Sequence, residues 1–112
     1  MEFNEFWEKV KNYLTQGIEL ETITKSGFKA KFDRDAGVIV VTPKSTMLPR
    51  DINKGDFRNV YNKMKDLSRK QLDIYRPALY QRLTRNSSYI LPIIKEVQTY
   101  GGKQKTLDKS KK

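Results

Sequence analysis

The amino-acid sequence predicts an α+β fold: an N-terminal helix, a three-stranded antiparallel β-meander and two or three further helices, in a winged-helix-like arrangement. Two patterns support this prediction. Apolar residues first recur with the spacing of a helix and then alternate with polar residues, as in half-buried strands. A helix-start signal follows the last predicted strand.

The first helix is predicted over residues 2–16, because a single apolar stripe runs through them. The stripe consists of Phe3, Phe6, Trp7, Val10, Tyr13 and Leu14. Trp7 lies in the middle of the stripe, so we expect it to be buried. Gly17 is expected just past the end of the helix, where a glycine is favoured.

Three strands are predicted at 18–24, 28–33 and 38–41. In the first two, apolar and polar residues alternate, and the third, "VIVV", consists of β-branched residues. The connections between them are short and rich in turn-forming residues, which favours antiparallel pairing. Residues 42–50, with two prolines, are expected to form a loop.

A second helix is expected to begin after Asn53. This residue can cap the helix, and Asp56 stands at the third helical position, as in a capping box. Ile52 and Phe57 occupy the two positions of a hydrophobic staple. Further along, Pro77 predicts a loop followed by a short helical turn.

A last helix is expected from about Ser88. Asn86, Ser87 and Ser88 are all good capping residues. A cap at Ser88 would put Pro92 at the fourth helical position, where its missing N–H is tolerated. A cap at Asn86 would put Pro92 deeper and kink the helix.

One compact domain is expected over residues 1–100, since 112 residues suffice for a single core. Residues 101–112 have five lysines and one large apolar side chain, which predicts a disordered basic tail. The formal net charge is +10. Residues 1–23 have two basic and five acidic side chains, so the net positive charge comes from the rest of the chain. Such an excess favours a polyanionic partner.

Catalytic groups are scarce. The chain has no cysteine and no histidine, so thiolate chemistry and the commonest general base and metal ligand are absent. The carboxylates suit turns and helix caps, and no phosphate-binding loop or nucleophile elbow is present. We therefore predict no enzyme, no cofactor and no metal site; an RNase that works without histidine is the remaining catalytic alternative.

No membrane partner is expected. The longest apolar runs are too short to span a bilayer, and the acidic N terminus does not resemble a signal peptide. These features predict a cytoplasmic protein.

Nucleic acid is the predicted partner, DNA more than RNA. Arginines and one lysine are interleaved with tyrosines after residue 68, and guanidinium groups bind phosphates well. The stretch "RLTRNSSY" adds short polar side chains at the start of a helix, where backbone N–H groups and the helix dipole favour anions. The candidate binding residues are Arg69, Lys70, Arg76, Arg82, Arg85, Asn86, Ser87, Ser88 and Tyr89.

Residues 3–97 resemble a family pattern. Its segments are "FW" in the first helix, "GIELETITKSGFKAKF", "GVIVVTPK", "INKGDFRNVYNKM" and "RNSSYILPII". The pattern is similar to small uncharacterised bacterial domains that accompany restriction or mobile-element proteins. The resemblance implies a DNA-directed accessory module, with Arg85, Ser87, Ser88 and Tyr89 in its most recognisable segment; Pro92 and the basic tail depart from the pattern.

The sequence thus favours a non-catalytic protein that binds double-stranded DNA through a basic surface near the last helix. The alternative is a protein-interaction module, such as an inhibitor or adaptor from a phage or mobile element. The third hypothesis is the histidine-independent RNase.

Overall fold

A computed structural model describes residues 2–70 and 74–100. Three α-helices and a four-stranded antiparallel sheet form the fold, so the predicted α+β class is confirmed, whereas the prediction of three strands is wrong by one. In chain order, the described elements are α1 (Phe3–Tyr13), β1 (Ile18–Glu21), β2 (Gly27–Asp33), β3 (Val38–Pro43), β4 (Arg50–Ile52), α2 (Lys54–Ser68), a 3₁₀ turn (Pro77–Tyr80) and α3 (Ser87–Tyr100). The predicted tail at 101–112 lies outside the described residues, and the winged-helix-like arrangement stays a prediction.

The first helix was correctly predicted but is shorter than expected. It ends at Tyr13, and the carbonyl of Leu14 then accepts hydrogen bonds from the amides of Gly17 at 3.1 Å and Phe32 at 3.0 Å. Gly17 has a φ of +81°, in the left-handed region that glycine enters without strain. The prediction that Trp7 is buried is confirmed, with 4% of its surface exposed.

The sheet is an antiparallel meander in the order β1-β2-β3-β4. Its fourth strand lies where the sequence predicted the end of a loop. Arg50, Asp51 and Ile52 pair with Val41, Val40 and Ile39. Of the three residues of β4, only Ile52 is buried, so too little local alternation was present to predict a strand.

One face of the sheet packs against the helices. Its buried residues are Phe28, Ala30, Ile39, Val41 and Ile52. The other face is not covered by any described element and displays Lys29, Lys31, Val40, Thr42 and Asp51. The core therefore lies between one side of the sheet and the three helices, which leaves the loops at the ends of the strands available for contact.

The capping prediction for α2 is confirmed. The side chain of Asn53 accepts a hydrogen bond from the amide of Asp56 at 2.8 Å. Ile52 and Phe57, the two staple residues, are both fully buried. This helix start is thus determined by residues close together in the chain.

The last helix begins at Ser87, and the carbonyl of Asn86 accepts the amide of Ile90 at 3.0 Å. Asn86 therefore occupies the cap position, one of the alternatives left open by the sequence. Pro92 consequently lies inside α3, which nevertheless extends to Tyr100. One face of this helix is buried in the core, through the apolar residues Ile90, Leu91, Ile93, Ile94 and Val97, whereas Lys95 and Thr99 are exposed on the opposite side.

Candidate nucleic-acid interface

Three connecting segments meet at one end of the sheet. In an antiparallel meander the β1–β2 turn and the β3–β4 loop lie at the same end. The start of α3 joins them there, because the Tyr89 ring packs edge-on against Phe28, the second residue of β2, at 5.1 Å between ring centroids. Ser88, the residue before Tyr89, lines a groove of about 280 Å³ together with Thr22 and Lys25 of the β1–β2 turn.

Arg50 connects the sheet to the start of α3. Its guanidinium donates a long hydrogen bond of 3.4 Å to the Asn86 side-chain oxygen and lies 5.4 Å from the centre of the Tyr89 ring. A guanidinium at this distance from an aromatic face is attracted by the ring quadrupole. The sequence did not identify Arg50 as a site residue, because only the pairing of β4 with β3 brings it to Asn86.

Thr84 connects the starts of α2 and α3. Its hydroxyl donates to the Asp56 carboxylate at 3.1 Å and accepts from the Asn86 amide at 3.0 Å. Thr84 is buried, so these two bonds hold the segment before α3 against the first turn of α2. The residues are 28 positions apart, and no local signal in the sequence predicted the contact.

Three predicted binding arginines are exposed and close to this junction along the chain. Arg82 and Arg85 shortly precede α3, and Arg76 adjoins Pro77, whose carbonyl accepts from the Ser87 hydroxyl. From Ile74 to Lys95 the chain contains no acidic residue. Between described residues, the ion pairs join Lys11 to Glu8 and Lys44 to Glu19. Neither these three arginines nor Arg50 therefore forms an ion pair with a carboxylate of residues 2–70 or 74–100.

We call the group formed by Arg50, Arg76, Arg82, Arg85, Asn86 and Tyr89 the arginine surface. It unites five of the nine residues predicted from sequence with Arg50, which the sequence did not indicate. Formal positive charge is concentrated there beside the N-terminal end of α3, where the backbone adds partial positive charge.

The other predicted residues lie elsewhere. Ser87 is only 2% exposed and its hydroxyl donates to the Pro77 carbonyl at 3.4 Å, so our expectation that it lies on the surface is wrong. Ser88 borders the groove beside the β1–β2 turn. Arg69 and Lys70 follow the end of α2, about 22 Å along the helix from its start. The structure therefore does not bring them together with the arginine surface.

The neighbouring tyrosines have structural roles. Tyr80 is fully buried, and its hydroxyl donates to the Ile74 carbonyl at 2.6 Å. Tyr75 is half-buried; its hydroxyl donates to Gln98 at 3.0 Å and the Lys95 ammonium lies 5.1 Å from its ring centre. Burial raises the pKa of Tyr75.

The described residues include neither a cluster of metal ligands nor a membrane-spanning helix. Within residues 2–70 and 74–100, no three His, Cys, Asp or Glu side chains are grouped so as to hold a metal ion. No helix in the same two ranges is long and apolar enough to cross a bilayer.

A nucleic-acid-binding role is supported only by the geometry of the arginine surface. The resemblance to restriction-associated and mobile-element domains stays a hypothesis, as do the phage and DNA connections that it implies. The chain matches no protein-family model, no curated protein and no solved structure at a significant level.

Proposed function

We propose that this protein is a non-catalytic nucleic-acid-binding protein that prefers double-stranded DNA and contacts it through the arginine surface. The observation that supports this proposal most strongly is the concentration of arginines around one helix start. Arg76, Arg82 and Arg85 lie within residues 74–95, which contain no acidic side chain. Arg50 contacts Asn86 and Tyr89 at the start of α3.

Phosphates are the natural partners of such a surface. Each phosphate that an arginine neutralises releases condensed counterions, which makes a high net positive charge favourable in binding. The guanidinium group also matches phosphate geometry with two parallel donors. Backbone N–H groups at the start of α3 would add neutral donors beside the arginines.

The side chains of α3 restrict how DNA can be contacted. A recognition helix presents polar and basic side chains to the major groove, whereas one face of α3 is buried and the rest has a single basic residue, Lys95, beside Glu96. Even if the fold is winged-helix-like, we therefore expect contact through the first turn of α3 and the neighbouring loops, mainly with the DNA backbone.

Duplex DNA is favoured over single strands because the nearby aromatic rings are engaged in the fold. Proteins that bind single strands stack bases on exposed aromatic side chains. Here Tyr80 is buried, and the Tyr89 ring lies between Phe28 and Arg50. Phosphate contacts, rather than base stacking, are thus the interaction that the arginine surface supplies.

A salt series tests the proposal. Binding to duplex DNA, single-stranded DNA and RNA is measured for the wild type and for Arg82→Ala/Arg85→Ala. We expect the double variant to bind duplex more weakly and to lower the slope of log K against log salt by about 1 for each phosphate that is no longer neutralised. Its free energy of unfolding should change by less than about 0.5 kcal/mol, because both arginines are exposed.

The matched control is Arg34→Ala/Lys63→Ala, which removes the same charge from the β2–β3 turn and from α2. Equal decreases in affinity for both double variants would mean that net charge alone drives binding. A variant without residues 103–112 separates the lysine-rich end from the domain. If that deletion abolishes binding while Arg82→Ala/Arg85→Ala has no effect, the arginine surface is not the site.

The RNA samples of the salt series also test for catalysis. Cleavage of the RNA would support the histidine-independent RNase instead. Burial raises the pKa of Tyr75, which disfavours Tyr75 itself as a tyrosinate base.

A protein-interaction module, such as a phage or mobile-element inhibitor or adaptor, is the second candidate. It is supported by the uncovered face of the sheet, where Lys29, Lys31, Val40 and Thr42 line a groove of about 570 Å³. This face also contains acids, including Asp33 and Asp51, and so suits a polyanion less than the arginine surface does. Absence of binding to all three nucleic acids would favour this candidate.

A further inference from the structure

The β3–β4 loop exposes two consecutive large apolar side chains. Met47 is 68% exposed and Leu48 is 69% exposed, the highest values among the large hydrophobic residues that the structure describes. Pro49 follows them and Arg50, part of the arginine surface, comes next. The apolar tip of this loop is therefore a short distance along the chain from the cation that contacts Asn86 and Tyr89.

The loop has a defined conformation. The Met47 amide donates to the Pro43 carbonyl at 2.7 Å, and the Leu48 amide donates to the Thr46 hydroxyl at 3.2 Å. Met47 has a φ of +57°, in the left-handed region that side-chain-bearing residues seldom adopt. Backbone strain of this kind persists where the surrounding structure enforces it, and it is common at binding sites.

We infer that the β3–β4 loop is a wedge whose Met47 and Leu48 side chains insert between stacked base pairs of duplex DNA from the minor groove. This inference rests on the proposed function and specifies how the same end of the molecule engages DNA. Apolar side chains such as Met, Leu and Pro are used in this way by minor-groove proteins that kink the duplex.

Charge complementarity favours DNA as the occupant. An apolar tip with arginines nearby can place its side chains against bases if those cations lie against the phosphates. Arg50 directly follows the tip, and Arg85 precedes Asn86, the residue that Arg50 contacts. A bilayer is a poorer match, because two side chains bury little apolar area in it.

Insertion has a measurable consequence for the DNA. Wedging side chains partly unstack a base step and bend the helix, and flexible pyrimidine–purine steps deform with the least energy. Binding should therefore bend a short duplex with a central TA step and should be weaker on a stiff A-tract of the same length.

The experiment compares Met47→Ala/Leu48→Ala with wild type on a TA-step duplex. Bending is followed by energy transfer between dyes on the two ends, and unstacking by the fluorescence of a 2-aminopurine beside the central step. We expect the variant to lose the bend and the fluorescence increase, and to bind about 3- to 10-fold more weakly. Its salt slope should equal that of wild type, because no cation is removed.

The matched control is Tyr100→Ala, which removes an exposed large side chain at the other end of α3, about 20 Å from Asn86. It should bind and bend DNA like wild type. Unchanged bending and affinity in Met47→Ala/Leu48→Ala would overturn the wedge while leaving the proposed function intact. Failure of wild type to bind any duplex would overturn both.

The experiment also distinguishes two other partners of the β3–β4 loop, a membrane and a second copy of the protein. If wild type sediments with vesicles of anionic lipid and Met47→Ala/Leu48→Ala does not, while duplex bending is the same in both, the loop is a membrane contact and the wedge is wrong. If the variant alters only the self-association of the protein in solution, the loop is an interface between two copies, and the wedge is again wrong.

Discussion

The start of α1 and the start of α3 differ in how charge is arranged around them. α1 has Glu5 in its first turn and an ion pair between Lys11 and Glu8 at 2.7 Å. α3 has no acidic residue in its first turn and is preceded by Arg82 and Arg85. Negative side chains stabilise a helix start through the helix dipole, whereas positive ones oppose it.

The charged side chains near α1 stabilise the helix beside them, whereas those near α3 do not. The acids near α1 favour the helix in the isolated protein. The arginines near α3 add repulsion in the isolated protein, and an anion bound among them would relieve it. The start of α3 is therefore where we expect substitutions to affect binding, and α1 is where we expect them to affect stability.

The largest expected effect belongs to α1. Trp7→Ala should lower the free energy of unfolding by about 3–5 kcal/mol, because it removes a buried ring and leaves a cavity. The Trp7 ring lies 5.4 Å from Phe57 and 6.0 Å from Phe3, between ring centroids. Urea titration measures the decrease, and Trp7→Phe, which keeps a ring, should be less destabilised. A native fluorescence maximum typical of water-exposed tryptophan would contradict the burial.

An intermediate effect is expected at the junction between α2 and α3. Thr84→Val keeps the shape of the side chain but removes both hydrogen bonds of the hydroxyl, to Asp56 and from Asn86. We expect the free energy of unfolding to fall by about 1–3 kcal/mol in thermal or chemical unfolding. Thr15→Val is the control, since its hydroxyl donates to the Lys11 carbonyl on the exposed surface. Equal destabilisation of the two variants would show that the buried Thr84 hydrogen bonds contribute no more to stability than the exposed one of Thr15.

A smaller effect is expected at the start of α2. Asn53→Ala removes the side-chain oxygen that accepts the Asp56 amide and should cost about 0.5–2 kcal/mol. Asn62→Ala, on the exposed side of the same helix, should be neutral or slightly stabilising because alanine is a better helix former. Identical melting temperatures for wild type and Asn53→Ala would argue against the cap.

Much of the fold follows from patterns that neighbouring residues form. The apolar stripe that includes Trp7 and the cap at Asn53 involve residues within one or two helical turns, so the sequence alone was enough to predict them. Alternation in β2 likewise indicated which side chains, such as Phe28 and Ala30, face the core.

The candidate site could be predicted only in part. The sequence identified Arg82, Arg85 and the polar run from Asn86 as a concentration of cations and helix-start residues. It also suggested Ser87 as a surface contact and Arg69 as a neighbour. Burial against Pro77 removes the first from the surface, and the length of α2 separates the second from α3.

By itself, therefore, the sequence determined the helices, the meander and the basic excess, because periodicity, capping and composition act over short stretches of chain. Tertiary structure alone decided that β4 pairs with β3, that Arg50 reaches Asn86 and Tyr89, and that Thr84 bonds to Asp56. Arg50 and Asn86 are 36 positions apart in the chain, and Thr84 and Asp56 are 28 apart. Their partners depend on strand register and on how the helices pack across the sheet, and no local pattern encodes either.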